Sequence, residues 1–388
     1  MDTMQAYLHI PFCKRKCAYC DFASRAGCDA LMAPYAGAVR REIALRVAEY
    51  GRVSLDTVYI GGGTPSIFPP ELLKDILNSL FEAFPPKSGA EITCEANPGT
   101  LNEAFLRMLR EQGVTRLSLG AQAGQERLLK ALGRIHAWEE VEASVRLARR
   151  AGFANINLDL MFGLPGQTRE DWRETLKMAL ALRPQHLSCY GLILEEGTPL
   201  YDRAASGTLS LPEEAEERAM YENARSLCAQ AGLSQYEISN FALPGRECRH
   251  NLGYWQGAHY LGFGAAAHSR MPVPQGRAGT AYVRFGNTPV LETYLDSLMG
   301  GTLPVAEYQA ISLREAEFET LMLGLRVLEG VSGQDFLSRH GRTLREAFGG
   351  KIHPLVEKGL LIYDENSLRL TRRGMDVQNA VLVELMDE

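Results

Sequence analysis

The sequence lacks the long apolar run that a membrane-spanning helix needs. No stretch of about 18 consecutive apolar residues occurs along the 388 residues, so we expect no transmembrane helix. Only a few residues precede the first apolar segment, which leaves no room for a secretory signal and predicts a cytoplasmic location. With 46% hydrophobic residues, the chain can form two or three globular domains with a sizeable core.

A large excess of charge of one sign is also missing. The formal net charge is -6 and the isoelectric point is about 5.9. Nucleic-acid-binding proteins carry a basic patch or stripe, and binding to anionic membranes likewise depends on clustered basic residues. The composition therefore predicts no nucleic-acid partner and no membrane surface as the main partner.

The eight cysteines do not form the pattern of a disulfide-stabilised secreted domain. Cys13, Cys17 and Cys20 are clustered, and the other five are scattered. One tight loop could direct the three clustered sulfurs at a single centre. A zinc site would need a fourth ligand, for which Cys28 and His9 are the nearest candidates. A cubane iron-sulfur cluster would have one iron left open, and three reduced thiols without a cofactor are the third alternative.

The clustered cysteines lie in the segment HIPFCKRKCAYC, with the spacing C-x-x-x-C-x-x-C. This segment resembles the radical S-adenosylmethionine (SAM) superfamily, in which three such cysteines hold a 4Fe-4S cluster and SAM ligates the fourth iron. Within the superfamily, the segment is most similar to the branch that contains oxygen-independent coproporphyrinogen III dehydrogenase and related heme chaperones. The resemblance implies Cys13, Cys17 and Cys20 as metal ligands, with Tyr19 as the aromatic residue that precedes the third cysteine in this branch.

Six β/α units are predicted between residues 6 and 232, because short apolar runs alternate with helical patterns there. The predicted strands are 6–10, 57–61, 91–96, 116–122, 155–163 and 186–194, and the predicted helices are 34–50, 70–84, 103–113, 138–151, 169–182 and 213–232. Six units are too few for a closed eight-stranded barrel. The resemblance implies an α/β fold with a partial (β/α)6 barrel over residues 1–232, whose active site lies at the carboxyl ends of the strands.

Several motifs at the predicted strand ends match those of the superfamily in order: GGGTP, EANPGT, LGAQ, GRIH and LMFGLPGQT. In the alternative interpretation these residues do not bind a ligand. The glycines then form a sharp turn, and the carboxylates are interior groups paired with arginine. The resemblance assigns SAM contacts to Tyr7, Tyr19, Gly62, Gly63, Thr64, Glu95, Gln122, Arg134, Asp159 and Gly191.

A segment rich in glycine and aromatic residues follows, and we predict that residues 233–305 form an extension of the barrel. It contains the sequence HNLGYW, which begins at His250. This sequence resembles a motif associated with heme handling, so His250 is a candidate heme ligand, with Tyr254 and Trp255 as apolar walls. In the alternative interpretation His250 only forms a hydrogen bond within a loop, and the two aromatic residues only pack.

Residues 306–388 are predicted to form a small winged-helix-like α+β domain. Helices are expected at 315–328, 334–340 and 344–358, followed by strands at 360–363 and 367–370. The segment has more acidic than basic residues, which argues against binding to DNA. In the family that the chain resembles, the corresponding domain covers the barrel mouth.

Two departures argue against the dehydrogenase of this branch. That enzyme has a further cysteine where this chain has Phe22, and it has a longer segment before the cluster. Together with HNLGYW they favour a heme chaperone that binds a 4Fe-4S cluster, SAM and heme, and no catalytic residue is assigned. Its expected partners are heme-accepting proteins, with membrane-associated respiratory enzymes as candidates, and a homodimer is compatible with the sequence. The alternative is a radical SAM oxidoreductase acting on coproporphyrinogen III or another tetrapyrrole.

Overall fold

The fold was analysed in a computed structural model that describes residues 3–273, 279–364 and 366–386. The strands are β1 (Thr3–Ile10), β2 (Phe12–Cys13), β3 (Arg25–Ala26), β4 (Ser54–Gly62), β5 (Pro86–Ala96), β6 (Arg116–Gln122), β7 (Ile156–Phe162), β8 (His186–Gly191), β9 (Ser234–Gln235), β10 (Asn240–Ala242), β11 (Tyr260–Phe263), β12 (His268–Pro272), β13 (Thr280–Asn287), β14 (Val305–Ser312), β15 (Val331–Ser332), β16 (Leu361–Tyr363) and β17 (Ser367–Leu370).

The helices alternate with these strands in the first half of the chain and dominate its end. They are α1 (Met32–Tyr50), α2 (Pro70–Ala83), α3 (Glu103–Glu111), α4 (Glu126–Ala131), α5 (Trp138–Arg150), α6 (Arg169–Ala181), α7 (Pro199–Ala205), α8 (Glu214–Gln230), α9 (Arg249–Trp255), α10 (Leu291–Met299), α11 (Leu313–Gly324), α12 (Gly333–His340), α13 (Leu344–Glu357), α14 (Arg372–Asp376) and α15 (Gln378–Leu385). Within the described ranges no helix is both long and apolar enough to cross a membrane.

One large open sheet organises the molecule. Its strand order is β14-β13-β12-β11-β1-β4-β5-β6-β7-β8-β10-β9. Six of its strands lie side by side in chain order and run parallel: β1, β4, β5, β6, β7 and β8. β11 adds a further parallel strand beside β1, and β10 pairs antiparallel with β8. The predicted α/β fold with a partial (β/α)6 barrel is therefore confirmed, and the carboxyl ends of its parallel strands meet at one edge of the sheet.

Burial explains why these segments form strands. All seven residues of β6 are buried, as expected for a parallel strand covered on both faces. The outer helices carry local start signals: Asn102 caps α3, and Thr168 with Asp171 forms a capping box at α6. Apolar strand segments and capped amphipathic helices were readable from the sequence, and the six predicted strands and six predicted helices are confirmed to within a few residues of their ends.

The region after α8 differs from the expectation. The glycine-rich and aromatic segment was predicted without strands, but β9 to β14 extend the sheet on both of its sides. Most of these strands pair antiparallel with the next strand in the chain, and only β10 and β11 also pair with the parallel core. Glycines within β11 and β13 weaken the local strand signal. The short helices α4 and α7 were also missed, because six or seven residues contain too few turns to show helical periodicity.

The C-terminal segment forms a winged-helix-like unit, as predicted. Helices α11 to α13 pack beside a small sheet with the order β15-β17-β16, around an apolar core that includes Leu321, Phe336 and Phe348. The large sheet ends only at β14, whose last residue is Ser312. The domain limits 1–232, 233–305 and 306–388 therefore stay predictions, since one sheet runs through the first two segments and into the third.

Candidate functional site

A cavity of about 450 Å³ opens at the carboxyl ends of the parallel strands. We call it the thiol cavity, because the three clustered cysteines are part of its wall. Eleven of the predicted site residues line it: Cys13, Cys17, Cys20, Tyr19, Gly62, Gly63, Thr64, Glu95, Gln122, Arg134 and Asp159. They come from the first loop, from the ends of β4 to β7 and from the turn after α4, so the fold brings together motifs that are far apart in the sequence.

The cysteine loop is held in place by polar contacts with the strand ends. The backbone N-H of Ala18 donates to the Leu132 carbonyl at 2.9 Å. Arg134 Nη1 lies 3.5 Å from Cys17 Sγ, and Thr64 Oγ1 lies 3.6 Å from Cys13 Sγ. Burial raises the pKa of the Cys20 thiol. The thiols are free, and a guanidinium and a hydroxyl stand beside two of them as hydrogen-bond donors.

The geometry does not favour the zinc alternative. Both ring nitrogens of His9 are occupied, by the Tyr7 hydroxyl at 3.0 Å and by the Ala23 carbonyl at 2.9 Å. The Cys28 thiol contacts the Ala26 carbonyl and does not line the cavity. A mononuclear site would need a compact tetrahedral donor set.

The glycine turn after β4 can be formed only by residues without a side chain. Gly62 has a φ of 109°, and a Cβ placed on it would lie 2.5 Å from the His9 ring. A Cβ on Gly63 would lie 2.6 Å from the Phe12 carbonyl oxygen. The turn therefore packs directly under the cysteine loop, and its backbone forms part of the cavity wall.

Two carboxylates, Glu95 and Asp159, face the thiol cavity. Glu95 accepts from the Tyr59 hydroxyl at 2.8 Å and from the Gly62 N-H at 3.2 Å. Asp159 accepts from Ser118 Oγ at 3.1 Å and from an Asn157 amide at 2.7 Å. Burial, followed by the negative charge of Asp159, raises the pKa of Glu95 to about 7. Burial also raises the pKa of Asp159, so the pair would gain from a cationic ligand.

Arg134 connects the cysteine loop with the strand ends. Its Nη2 donates to Asn97 Oδ1 at 2.8 Å and to the Gly120 carbonyl at 2.7 Å. Gln122 nearby has a φ of 63°, which is uncommon for a residue with a side chain and recurs at functional sites. Asn97 was not among the predicted site residues, although it also donates to Thr64 Oγ1 at 2.9 Å. Its place within EANPGT was the signal that could have identified it.

Two buried polar atoms on this wall lack partners among the described residues. They are Arg134 Nε and Ser24 Oγ, and Ser24 is only 5% exposed. A buried donor without a partner is costly and points to a missing ligand atom. Three thiols, a guanidinium, two carboxylates and unpaired donors on one wall fit an iron-sulfur cluster beside a ligand that carries both positive and negative groups.

Other lining residues were not predicted from the sequence. They are Arg15, Lys16, Phe22, Ser24, Tyr59, Pro65, Ala96, Asn97, Ser118, Gly120, Met161 and Tyr190. Phe22, which occupies the position of the additional cysteine, is 59% exposed. Tyr190, another aromatic residue of the lining, is 38% exposed.

Three predicted site residues do not line the thiol cavity. Tyr7 stacks on Tyr59 with a centroid distance of 6.4 Å, beside the lining residues. Gly191 ends β8, and a Cβ placed on it would lie 2.7 Å from Glu217 Oε1, so it packs against α8. The third, His250, lies on α9 and is buried against Thr57 of β4.

The position of His250 favours the alternative in which its imidazole forms hydrogen bonds within the protein. The residue is 1% exposed. Its Nδ1 is 2.7 Å from Thr57 Oγ1 and its Nε2 is 2.9 Å from the Tyr254 hydroxyl. Burial, followed by the charge of Arg116, lowers its pKa to about 3. Because both ring nitrogens already have partners, His250 in this conformation is an interior hydrogen-bonding residue.

Comparison with known families and proteins places these observations in context. Residues 7–179 match the radical SAM superfamily, and residues 311–377 match the HemN C-terminal domain. The chain is 38% identical to the heme chaperone HemW of Bacillus subtilis over 99% of both chains. It is 32% identical to the heme chaperone HemW of Escherichia coli over 98% of both chains.

A mitochondrial protein and a solved structure show the same likeness. The bovine mitochondrial protein named radical S-adenosyl methionine domain-containing protein 1 is 33% identical over 98% of this chain and 86% of its own length. The structure of coproporphyrinogen III oxidase (HemN) from Escherichia coli superposes with a TM-score of 0.84 at 22% identity, covering 99% of this chain and 90% of that one. The structural likeness shows a shared fold.

Proposed function

Because the chain belongs to the HemW family of the radical SAM superfamily, we propose that it is a heme chaperone that binds heme and delivers it to acceptor proteins. The observation that carries this proposal is the identity to HemW chaperones along the whole chain. Membership of the superfamily implies SAM and a 4Fe-4S cluster, and the thiol cavity supplies residues that suit both.

In this proposal Cys13, Cys17 and Cys20 hold the cluster, and the positive charges around them offset its negative charge. Glu95 and Asp159 balance the sulfonium charge of SAM or accept its ribose hydroxyls, because both carboxylates line the cavity and each oxygen can accept a further hydrogen bond. The backbone of the glycine turn, with Thr64, meets the amino group of SAM. When bound there, a 4Fe-4S cluster would supply one-electron redox chemistry beside SAM.

The remaining proposed contacts orient the ligand. Arg134, which contacts Cys17, and Gln122 contribute hydrogen bonds, and the aromatic ring of Tyr19 is part of the same lining. Tyr7 supports this lining through Tyr59. Gly191 stays a proposed backbone contact, although its α carbon packs towards Glu217.

The experiment that tests the function combines heme transfer with an assay for the enzymatic alternative. After anaerobic reconstitution, the protein is loaded with heme and mixed with an apo-acceptor such as a heme-free respiratory enzyme, and transfer is followed optically. A parallel anaerobic reaction with SAM and coproporphyrinogen III is assayed for 5'-deoxyadenosine and protoporphyrinogen. We expect heme transfer without porphyrinogen turnover, and sustained turnover would overturn the chaperone proposal.

A further inference from the structure

A second, larger cavity lies at the opposite end of the sheet. Its volume is about 720 Å³, within the range of small-molecule binding sites. The walls come from the amino-terminal parts of β1 and β4, from α9, from β12 and β13, and from α11 and α12. We call it the arginine cavity, because Arg249, Arg270 and Arg339 all line it.

Positive charge dominates the arginine cavity. Its lining also contains His259 and His340, and Asp56 is its one carboxylate among the described residues. That carboxylate already pairs with Lys87 at 3.0 Å. In the part of the chain that the structure describes, none of the three arginines forms an ion pair with a carboxylate. Their charges are therefore available to an anion from outside the chain.

Two of the guanidinium groups converge on one point. A Cβ placed on Gly257 would lie 3.1 Å from Arg339 Nη1 and 3.5 Å from both Nη atoms of Arg270. Both arginines also donate to carbonyls of the same turn: Arg339 to Gln256 at 2.5 Å and Arg270 to Ala258 at 3.3 Å. These bonds hold two like charges close together, which costs free energy unless an anion binds there.

The electrostatic surroundings agree with this geometry. Burial and the charge of Arg270 lower the pKa of Arg339. Burial, followed by the charge of Arg270, lowers the pKa of His259 to about 4. Buried polar atoms without partners lie at the same site: Arg270 Nε, His259 Nδ1 and Oε1 of Gln5, a residue that is only 4% exposed.

The remaining wall is apolar and in part flat. The guanidinium of Arg270 lies over the Tyr282 ring, 3.7 Å from its centroid. Met4, Ala281, Leu313 and Ala316 continue this surface, and Leu313 is 54% exposed. A site with convergent arginines beside apolar and aromatic surface suits an organic molecule that has an apolar body and carboxylates, because guanidinium groups bind carboxylates in a two-point geometry.

We propose that the arginine cavity binds heme through its propionate carboxylates, with Arg270 and Arg339 as the anion-binding pair and Arg249 as the third cation of the wall. The proposal rests on the heme-chaperone function and assigns its ligand to the end of the sheet opposite the thiol cavity. It also gives the HNLGYW segment a role that does not need His250 as an iron ligand, since Arg249 and Gly253 of α9 line the arginine cavity.

The test compares heme with heme dimethyl ester, which keeps the macrocycle and iron but lacks the carboxylate charges. Both are titrated optically into the wild type, the double variant Arg270→Gln/Arg339→Gln, and Arg41→Gln. Arg41 is an exposed residue of α1 outside both cavities. We expect the double variant to bind heme about tenfold to a hundredfold more weakly, and the ester to bind weakly to all three proteins with similar affinity.

Further readouts separate a lost charge from a damaged fold. A misfolded double variant would lose affinity for the ester and for SAM as well as for heme. The single variant Arg339→Lys keeps a positive charge, and we expect it to recover part of the affinity that Arg339→Gln loses. Unaltered heme affinity in a folded double variant would overturn the proposal, and so would equal affinity of the wild type for heme and its ester. If inorganic phosphate alone competes for the arginines while heme does not, the cavity serves another anion.

The outcomes distinguish this site from the proposed function. If the wild type binds and transfers heme but the arginine variants do so equally well, the location is wrong and the chaperone function stands. If the wild type binds no heme under any condition, both proposals fail. Loss of heme binding in the arginine variants together with intact SAM binding supports both.

Discussion

The thiol cavity and the arginine cavity lie at opposite ends of the same parallel strands, and they differ in chemistry. The thiol cavity combines three thiols, two carboxylates and three basic side chains in about 450 Å³, and the basic residues are Arg15, Lys16 and Arg134. The arginine cavity has three arginines and two histidines around about 720 Å³. The first suits a cationic ligand beside a cluster, and the second suits an anionic organic ligand. The sheet therefore separates two cavities whose linings differ in chemistry.

The two cavities also differ in how their walls are assembled. The wall of the thiol cavity comes from loops that directly follow consecutive parallel strands, as in complete barrels. The wall of the arginine cavity needs the late strands β12 and β13 and the helices α11 and α12 of the C-terminal unit. Its integrity therefore depends on contacts between the unit of α11 to α13 and the large sheet.

A column of aromatic and polar side chains connects the two ends. Thr57, which lines the arginine cavity, contacts His250, and the His250 ring lies 5.2 Å from that of Tyr59. Tyr59 in turn donates to Glu95 in the thiol cavity. A substitution in one cavity can therefore be tested for an effect on ligand binding in the other, which would have to pass through these side chains.

The largest expected effect is loss of the cluster on removal of one clustered cysteine. Cys13→Ser, Cys17→Ser or Cys20→Ser should each abolish a stable 4Fe-4S cluster, because only three thiolates from the chain are offered. Iron and sulfide are quantified after anaerobic reconstitution. The matched control is Cys28→Ser, whose thiol lies outside the thiol cavity. A cluster that survives in Cys20→Ser but is lost in Cys28→Ser would show that the ligand assignment is wrong.

A smaller effect is expected for the carboxylates of the thiol cavity. Glu95→Ala or Asp159→Ala should leave the cluster intact but weaken SAM binding about tenfold to a hundredfold, because each removes a charge-assisted hydrogen bond worth roughly 1.5 to 3 kcal/mol. Calorimetric titration of SAM into the cluster-loaded variants measures this, with exposed Glu111→Ala as the control. SAM affinity equal to that of the wild type in both variants would mean that these carboxylates form hydrogen bonds only within the protein and do not contact SAM.

The contrast between the cavities also explains what could be predicted from the sequence. Each wall segment of the thiol cavity is a short contiguous motif, so Cys13, Gly62 and Glu95 were identifiable without knowledge of their neighbours. The parallel sheet was equally accessible, because apolar runs alternate with amphipathic helices. Asn97 was missed although it lies inside a recognised motif, since its role depends on side-chain contacts with Thr64 and Arg134.

The arginine cavity could not be predicted in this way. Arg249, Arg270 and Arg339 stand in three separate segments without a shared motif, and only the tertiary structure brings them together. The sequence likewise left two interpretations of His250 open. A glycine-rich segment does not show whether a histidine is accessible, and only the tertiary structure shows it buried between Thr57 and Tyr254.

The interior position of His250 gives a prediction about stability. His250→Ala removes a buried ring and two hydrogen bonds, so we expect the free energy of unfolding to fall by roughly 2 to 4 kcal/mol. Chemical denaturation measures the change, and His353→Ala is the control because that side chain is 77% exposed. At temperatures where the variant is folded, heme affinity should be close to that of the wild type. Loss of an axial-ligand signal in folded His250→Ala would restore the direct role of the imidazole.

The smallest expected effect is a pH dependence of stability that comes from Glu95. Burial and the charge of Asp159 raise the pKa of Glu95 to about 7 in the folded protein, whereas an unfolded glutamate titrates near 4.3. Between these values the folded state binds the proton and the unfolded state does not, so this group makes the protein less stable as the pH rises from about 4.5 to 7.

Melting temperatures of the cluster-free wild type and Glu95→Gln are compared across this window. Groups such as the buried histidines change stability in the opposite direction but are present in both proteins, so the difference between the two curves isolates Glu95 and its repulsion with Asp159. The stability of the wild type relative to Glu95→Gln should decline with rising pH and level off above about 7. A difference that does not vary with pH would mean that Glu95 is already ionised throughout this window, and that the thiol cavity carries more negative charge, and contrasts more strongly with the arginine cavity, than the raised pKa of Glu95 indicates.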